Sequence, residues 1–132
     1  MKQEDLIRAI VDFASLDGFP LADRSHISFW IDIQPNSLVY GGEFQFGQNE
    51  YKPIDLKNIG KYKCHLFTGF LENFHRDHTD QGRNRWNRAR VEKRIDGENI
   101  AHFIWDQGWE KNEIKAYVQS GSERGKWYWE EK

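Results

Sequence analysis

Apolar positions along this chain follow two rhythms, a three-and-four spacing and a strict alternation, and the switches between them lay out its elements. Over residues 3 to 14, Leu6, Ile7, Ile10, Val11 and Ala14 gather on one side while Glu4, Asp5, Arg8 and Asp12 point elsewhere, which predicts an amphipathic helix. Gly18 and Pro20 end that run, and Asp23 to Ser25 form a polar approach to the next element. From Ile27 the period becomes two. Ile27, Phe29, Ile31 and Ile33 share one face and Ser28, Trp30, Asp32 and Gln34 the other, as in a half-buried strand.

Pro35-Asn36-Ser37 reads as a turn into Leu38 to Tyr40, and the extended character resumes after Gly41-Gly42 in Glu43 to Gly47, so two or three antiparallel strands fit. The polar stretch Gln48 to Asn58, with Pro53 inside it, reads as a loop or a short irregular edge. Helical spacing then returns, with Leu66, Phe67, Phe70, Leu71 and Phe74 forming a broad apolar stripe on a central helix over residues 61 to 75 that lies on the sheet. Past the polar turn Thr79 to Arg83, Trp86 to Ile95 alternates and places Trp86, Arg88, Arg90, Glu92 and Arg94 on one face. Asp96-Gly97 turns the chain into Ile100 to Trp105, completing a second hairpin. Residues 110 to 119 carry helical spacing with a short strand as the alternative, and the aromatic tail 121 to 132 is either an extended element or a mobile end. The order of elements predicts one α+β domain over 1–132, an antiparallel sheet from two hairpin groups packed against the N-terminal and central helices.

Length and composition agree with a single folding unit: 132 residues with nine Phe, six Trp and five Tyr can build one core. No run of apolar residues is long enough to cross a bilayer and no signal-peptide pattern opens the chain, so a cytoplasmic protein is expected. The single cysteine, Cys64, permits no internal disulfide and fits a partly buried helix position.

Chemical signatures are sparse. His75-Arg76-Asp77-His78-Thr79-Asp80 places two imidazoles and two carboxylates within one helix end, yet lacks the His-Glu-x-x-His order of a zinc peptidase. It reads as a solvated C-terminal turn whose imidazoles complement the helix dipole, with a small hydrolase or nuclease using His75 and His78 as the competing idea. Phosphate loops, dinucleotide fingerprints and nucleophile elbows do not occur, so neither an enzyme nor a cofactor or metal is expected.

Charge divides unevenly. Residues 1 to 60 hold nine acidic and five basic side chains, whereas 61 to 132 hold twelve acidic and fourteen basic. The row Arg88, Arg90 and Arg94 beside Trp86 suggests a nucleic-acid surface, but Asp77, Asp80 and Glu92 interrupt it and the chain is net −2, which makes that reading the alternative. The acidic first part would instead attract a basic protein partner.

Trp86-Asn87-Arg88-Ala89-Arg90, Asp96-Gly97-Glu98-Asn99-Ile100 and Trp105-Asp106 together resemble the YezG-like family of bacterial immunity proteins, whose final hairpin turns at Asp-Gly and ends on an aromatic and an acidic residue. The resemblance implies a small cytoplasmic antitoxin of the kind found in contact-dependent growth inhibition. Such a protein binds one cognate toxin domain, often a nuclease and here expected to be basic, and blocks its active site or substrate groove without catalysis. Family-defined catalytic residues are not implied, and the protein is expected as a monomer or weak homodimer. From side-chain type and strand face, the expected toxin contacts are Trp30, Asp32, Glu43, Trp86 and Trp105.

Overall fold

The computed structural model describes residues 2–18, 26–34, 37–46, 50–79, 85–94 and 99–106. The expected Pro35-Asn36 and Asp96-Gly97 turns, the 110 to 119 element and the aromatic tail lie outside them. Helix α1 spans Gln3–Ala14. The Lys2 backbone N–H donates to the Asp5 carboxylate at 2.7 Å, satisfying one amide at its N-terminus, where Glu4 and Asp5 also suit the dipole. Its buried side chains are Leu6, Ile7, Ile10, Phe13 and Ala14. Phe13 thus takes the place expected of Val11, which is half-buried, and its ring stacks on Phe67 with centroids 4.0 Å apart. One 3₁₀ turn, Ser15–Asp17, closes the helix on Gly18 at φ +87°, a left-handed stop that glycine adopts without steric cost.

The strands β1 (His26–Gln34), β2 (Ser37–Phe46), β3 (Glu50–Pro53), β4 (Arg88–Arg94) and β5 (Asn99–Ile104) form one antiparallel sheet in the order β3-β2-β1-β4-β5. The α+β architecture is as the alternation implied. Strand β2 runs unbroken through Gly41-Gly42, which decides between the two and three strands that the pattern allowed. These glycines are not turn residues but sites of close approach. A Cβ on Gly42 would lie 2.6 Å from the Ser28 carbonyl oxygen, and one on Gly41 would lie 2.5 Å from the Trp30 ring.

The stretch after β3 holds one helical turn, α2 (Leu56–Ile59), in which the Asp55 carboxylate accepts the Asn58 amide N–H at 3.0 Å. Helix α3 (Lys61–Thr79) continues four residues beyond its expected end. It lies on the sheet through buried Phe67, Leu71 and Phe74, against Phe29 and Ile31 of β1, Phe44 of β2 and Ala89 and Val91 of β4. The Tyr40 hydroxyl donates to the Cys64 carbonyl at 3.0 Å, tying β2 to α3, and burial pushes that phenol up to about 12. Leu66, expected in the stripe, is instead 55% exposed, because the helix rotates about 100° per residue and sets it in line with exposed Tyr62, away from Phe67, Leu71 and Phe74. Helices α1 and α3 both pack on this one sheet face.

The two sides of α3 therefore differ sharply in energetic weight. Phe74→Ala is expected to cost about 3 to 5 kcal/mol in urea unfolding and Leu66→Ala under about 1 kcal/mol. Equal losses in the two variants would show that α3 is rotated from this placement.

Candidate functional site

On the sheet face away from the helices, register sets Asp32 opposite Arg88, Trp30 opposite Arg90 and Ser28 opposite Glu92. From β2, Glu43 lies opposite Ser28 and Gly41 opposite Trp30. Arg88 has no exposed surface, and Asp32, Glu43, Arg90, Glu92 and Asp106 are buried as well. The Arg88 guanidinium donates from Nε to Asp32 Oδ1 at 2.8 Å and from Nη1 to Asp106 Oδ2 at 3.4 Å. Arg90 Nη2 donates to Glu92 Oε1 at 2.8 Å, and His26 Nε2 lies 3.4 Å from the same oxygen. Buried ions survive only when paired, and this row pairs them within the sheet.

Asn87, just before β4, supports the row from one end. Its amide donates to the Asp106 carbonyl and accepts the Asp106 N–H, both at 2.7 Å. Its backbone N–H donates to the Ile104 carbonyl at 2.9 Å, and its own carbonyl accepts the Ile33 N–H at 2.8 Å. One side chain and its backbone thereby stitch β1 to the chain on either side of Trp105.

The carboxyls respond to these surroundings in opposite ways. Asp32 is raised to about 6, because burial outweighs the attraction of Arg88. Among the described residues its Oδ2 has no hydrogen-bond partner. Glu92 is lowered to about 2, first by the hydrogen bond from His26 and then, against the effect of burial, by Arg90.

Each residue expected at an interface has a definite place. Trp30 and Asp32 share the outer sheet face with Glu43, but both carboxylates are buried and cannot serve as rim charges. Trp86 lies before β4 and packs on the helix side, so it does not share the arginine face as a regular strand would require. Its indole N–H donates to His78 Nδ1 at 2.9 Å, while its carbonyl oxygen lies 2.8 Å from His75 Nε2. The two histidines thus clamp Trp86 instead of forming a solvated turn. Burial lowers the pKa of His78, in keeping with a ring nitrogen that accepts a hydrogen bond. Trp105 is 36% exposed, with the Arg85 guanidinium 3.5 Å above its ring centre.

The nucleic-acid reading loses the observation that motivated it. Arg88 and Arg90 are buried and spend hydrogen bonds on carboxylates, and of the three arginines in the row only Arg94 is exposed. Among the described residues no group of three or more His, Cys, Asp or Glu side chains converges on a point that could hold a metal ion. No helix of the described residues is long and apolar enough to cross a membrane. A half-open cleft of about 650 Å³ separates the ends of β1 and β2 from α3, with Gln34, Ser37, Glu72, His75 and Arg76 on its walls.

One exposed residue escaped the sequence reading, and it lies beside Leu66, which was assigned to the core. Tyr62 is 73% exposed and stands one turn from Leu66 on the outside of α3, among exposed Lys61, Lys63 and His65. Their i, i+4 spacing was the available signal, but it merges with the core stripe beside it.

Asp32 binds its proton more tightly in the folded chain than in the unfolded one. Its contribution to stability is therefore complete below about pH 4 and is lost as pH rises through about 6. Glu92 acts oppositely: its contribution is present above 4.5 and is lost as pH falls toward about 2. Urea unfolding across this range should show Asp32→Asn losing the decline between pH 4 and 6 while keeping the low-pH loss. An unchanged profile would refute the assignment to Asp32.

Comparison with known proteins supplies no family: no protein-family model matches the chain, and no curated protein matches it.

Proposed function

We propose that this chain is a cytoplasmic inhibitor protein of the bacterial immunity type, which binds a cognate toxin domain one to one and covers its active site or substrate groove. The observation that carries the reading is the outer face of α3. Tyr62 and Leu66 project from a helix whose opposite side is anchored by Phe67, Leu71 and Phe74. A large aromatic and an aliphatic residue on a rigid element suit the centre of a protein interface, because little conformational freedom remains to be lost on binding. The resemblance of Trp86 to Asp106 to immunity proteins gives that interface its purpose.

Electrostatics revises the expected partner surface. Asp32 and Glu43 are inside the protein, so steering by that pair toward a basic nuclease has no support. Lys61 and Lys63 are exposed on either side of Tyr62 in α3, so the toxin surface that meets α3 is acidic. Inhibition would then act by covering a groove, without imitating its phosphate substrate.

Calorimetry with the toxin domain encoded beside this gene tests the proposal. The expected result is one-to-one binding with matching loss of toxin activity. Tyr62→Ala with Leu66→Ala should weaken the complex about tenfold or more at nearly unchanged stability. Lys61→Glu with Lys63→Glu should mainly slow association. Absence of a complex with folded protein would reject the function, and full affinity in the Tyr62/Leu66 variant would reject the α3 face.

A further inference from the structure

The two edges of the sheet are built differently. Strand β3 at one edge is four residues long, Glu50-Tyr51-Lys52-Pro53, and carries two charges and a proline. These features discourage pairing with another chain. At the other edge, β5 is six residues long and reads Asn99-Ile100-Ala101-His102-Phe103-Ile104, with no proline, glycine or formally charged side chain. It pairs with β4 along one side, and among the described residues no strand pairs with its other side.

We infer that β5 is the seam of a homodimer, in which two copies pair antiparallel about a two-fold axis through His102 and join their sheets into one of ten strands. The occupant follows from the strand's self-complementarity. Residues directly opposed in an antiparallel pair lie on the same sheet face, so a two-fold axis between like strands has to pass through a residue. With the axis at His102, Ile100 of each copy faces Ile104 of the other, and the small Ala101 faces the large Phe103. Apolar groups meet apolar groups on both faces, and no like charges oppose each other. An axis at Ala101 would instead set Ile100 against His102 and Asn99 against Phe103.

Trp105 extends the seam by one step, since the same axis brings it opposite Asn99 of the second copy. It is already positioned there. Arg85 covers one face of its ring, while Asn87 holds the backbone on both sides through Ile104 and Asp106. An exposed tryptophan restrained in this way loses little freedom on association. The seam is about 20 Å long at roughly 3.4 Å per residue. A seam of one short strand pair is at the small end of specific interfaces, so a weak dimer that forms with rising concentration is expected. The dimer leaves the outer face of α3 unused, so it stands or falls independently of toxin binding.

Sedimentation velocity over low to high micromolar protein is the test. The natural sequence should move from the one-chain to the two-chain mass. His102→Glu sets two carboxylates against each other across the axis, while within one copy the new carboxylate lies opposite Arg90 and His102 is exposed. It should weaken the dimer about tenfold or more. Glu50→Lys on the opposite edge should leave it unchanged. In a Cys64→Ser background, His102→Cys should form an intermolecular disulfide under mild oxidation far faster than Glu50→Cys, which keeps the seam testable even if His102→Glu fails to fold. A one-chain mass at every concentration, natural dimer strength in folded His102→Glu, or equal cross-linking at positions 102 and 50 would overturn the inference.

Discussion

The structure turns on the burial of one guanidinium. Arg88 sits in the interior of the sheet with no exposed surface, and an arginine side chain cannot shed its proton to escape the cost of burial. It therefore requires carboxylates at set distances, supplied by Asp32 on β1 and Asp106 just past β5. Slipping β4 by one residue would send Arg88, Arg90 and Glu92 into the aromatic core and expel Ala89 and Val91. The ions on one face and the apolar side chains on the other thus specify the same register for β1, β4 and β5.

With the sheet fixed, the position of α3 follows. Phe67 meets Phe13, Phe29 and Tyr40 at one part of the helix, and farther along Phe74 meets Trp86 and Phe103. At the Phe74 end Trp86 joins helix to sheet, since His75 and His78 hold it to α3 while the next residue, Asn87, holds β1 and the chain on both sides of Trp105. A helix held along its whole inner side presents its outer residues in one orientation. The exposed Tyr62 and Leu66 take their fixed orientation from it.

Elements with a clear period were legible from the chain: α1, β1, α3 and β4 all follow the spacing of their apolar residues. What escaped was decided by neighbours distant in sequence. Phe13 displaced Val11 because Phe67 waits opposite it, and at Gly41-Gly42, where the pattern left one strand or two open, Trp30 and the Ser28 carbonyl leave no space for a Cβ. Alternation showed that Asp32, Arg88 and Arg90 share a face, but says nothing of whether that face meets solvent. They consequently resembled surface charges. Trp86 was misplaced because the alternating pattern runs two residues past the start of β4, where the hydrogen bonds of Asn87 redirect the chain.

Asp32 and Arg88 are 56 residues apart in the chain, yet each is buried against the other. Replacing Arg88 takes the guanidinium from buried Asp32, and replacing Asp32 leaves Arg88 only its longer contact to Asp106, whereas exchanging buried ion partners together for apolar residues of similar volume can be nearly neutral. The two positions are consequently expected to change together in descent. Lineages that keep this fold should hold the acid and the arginine together or lose them together, with few surviving intermediates between those two states.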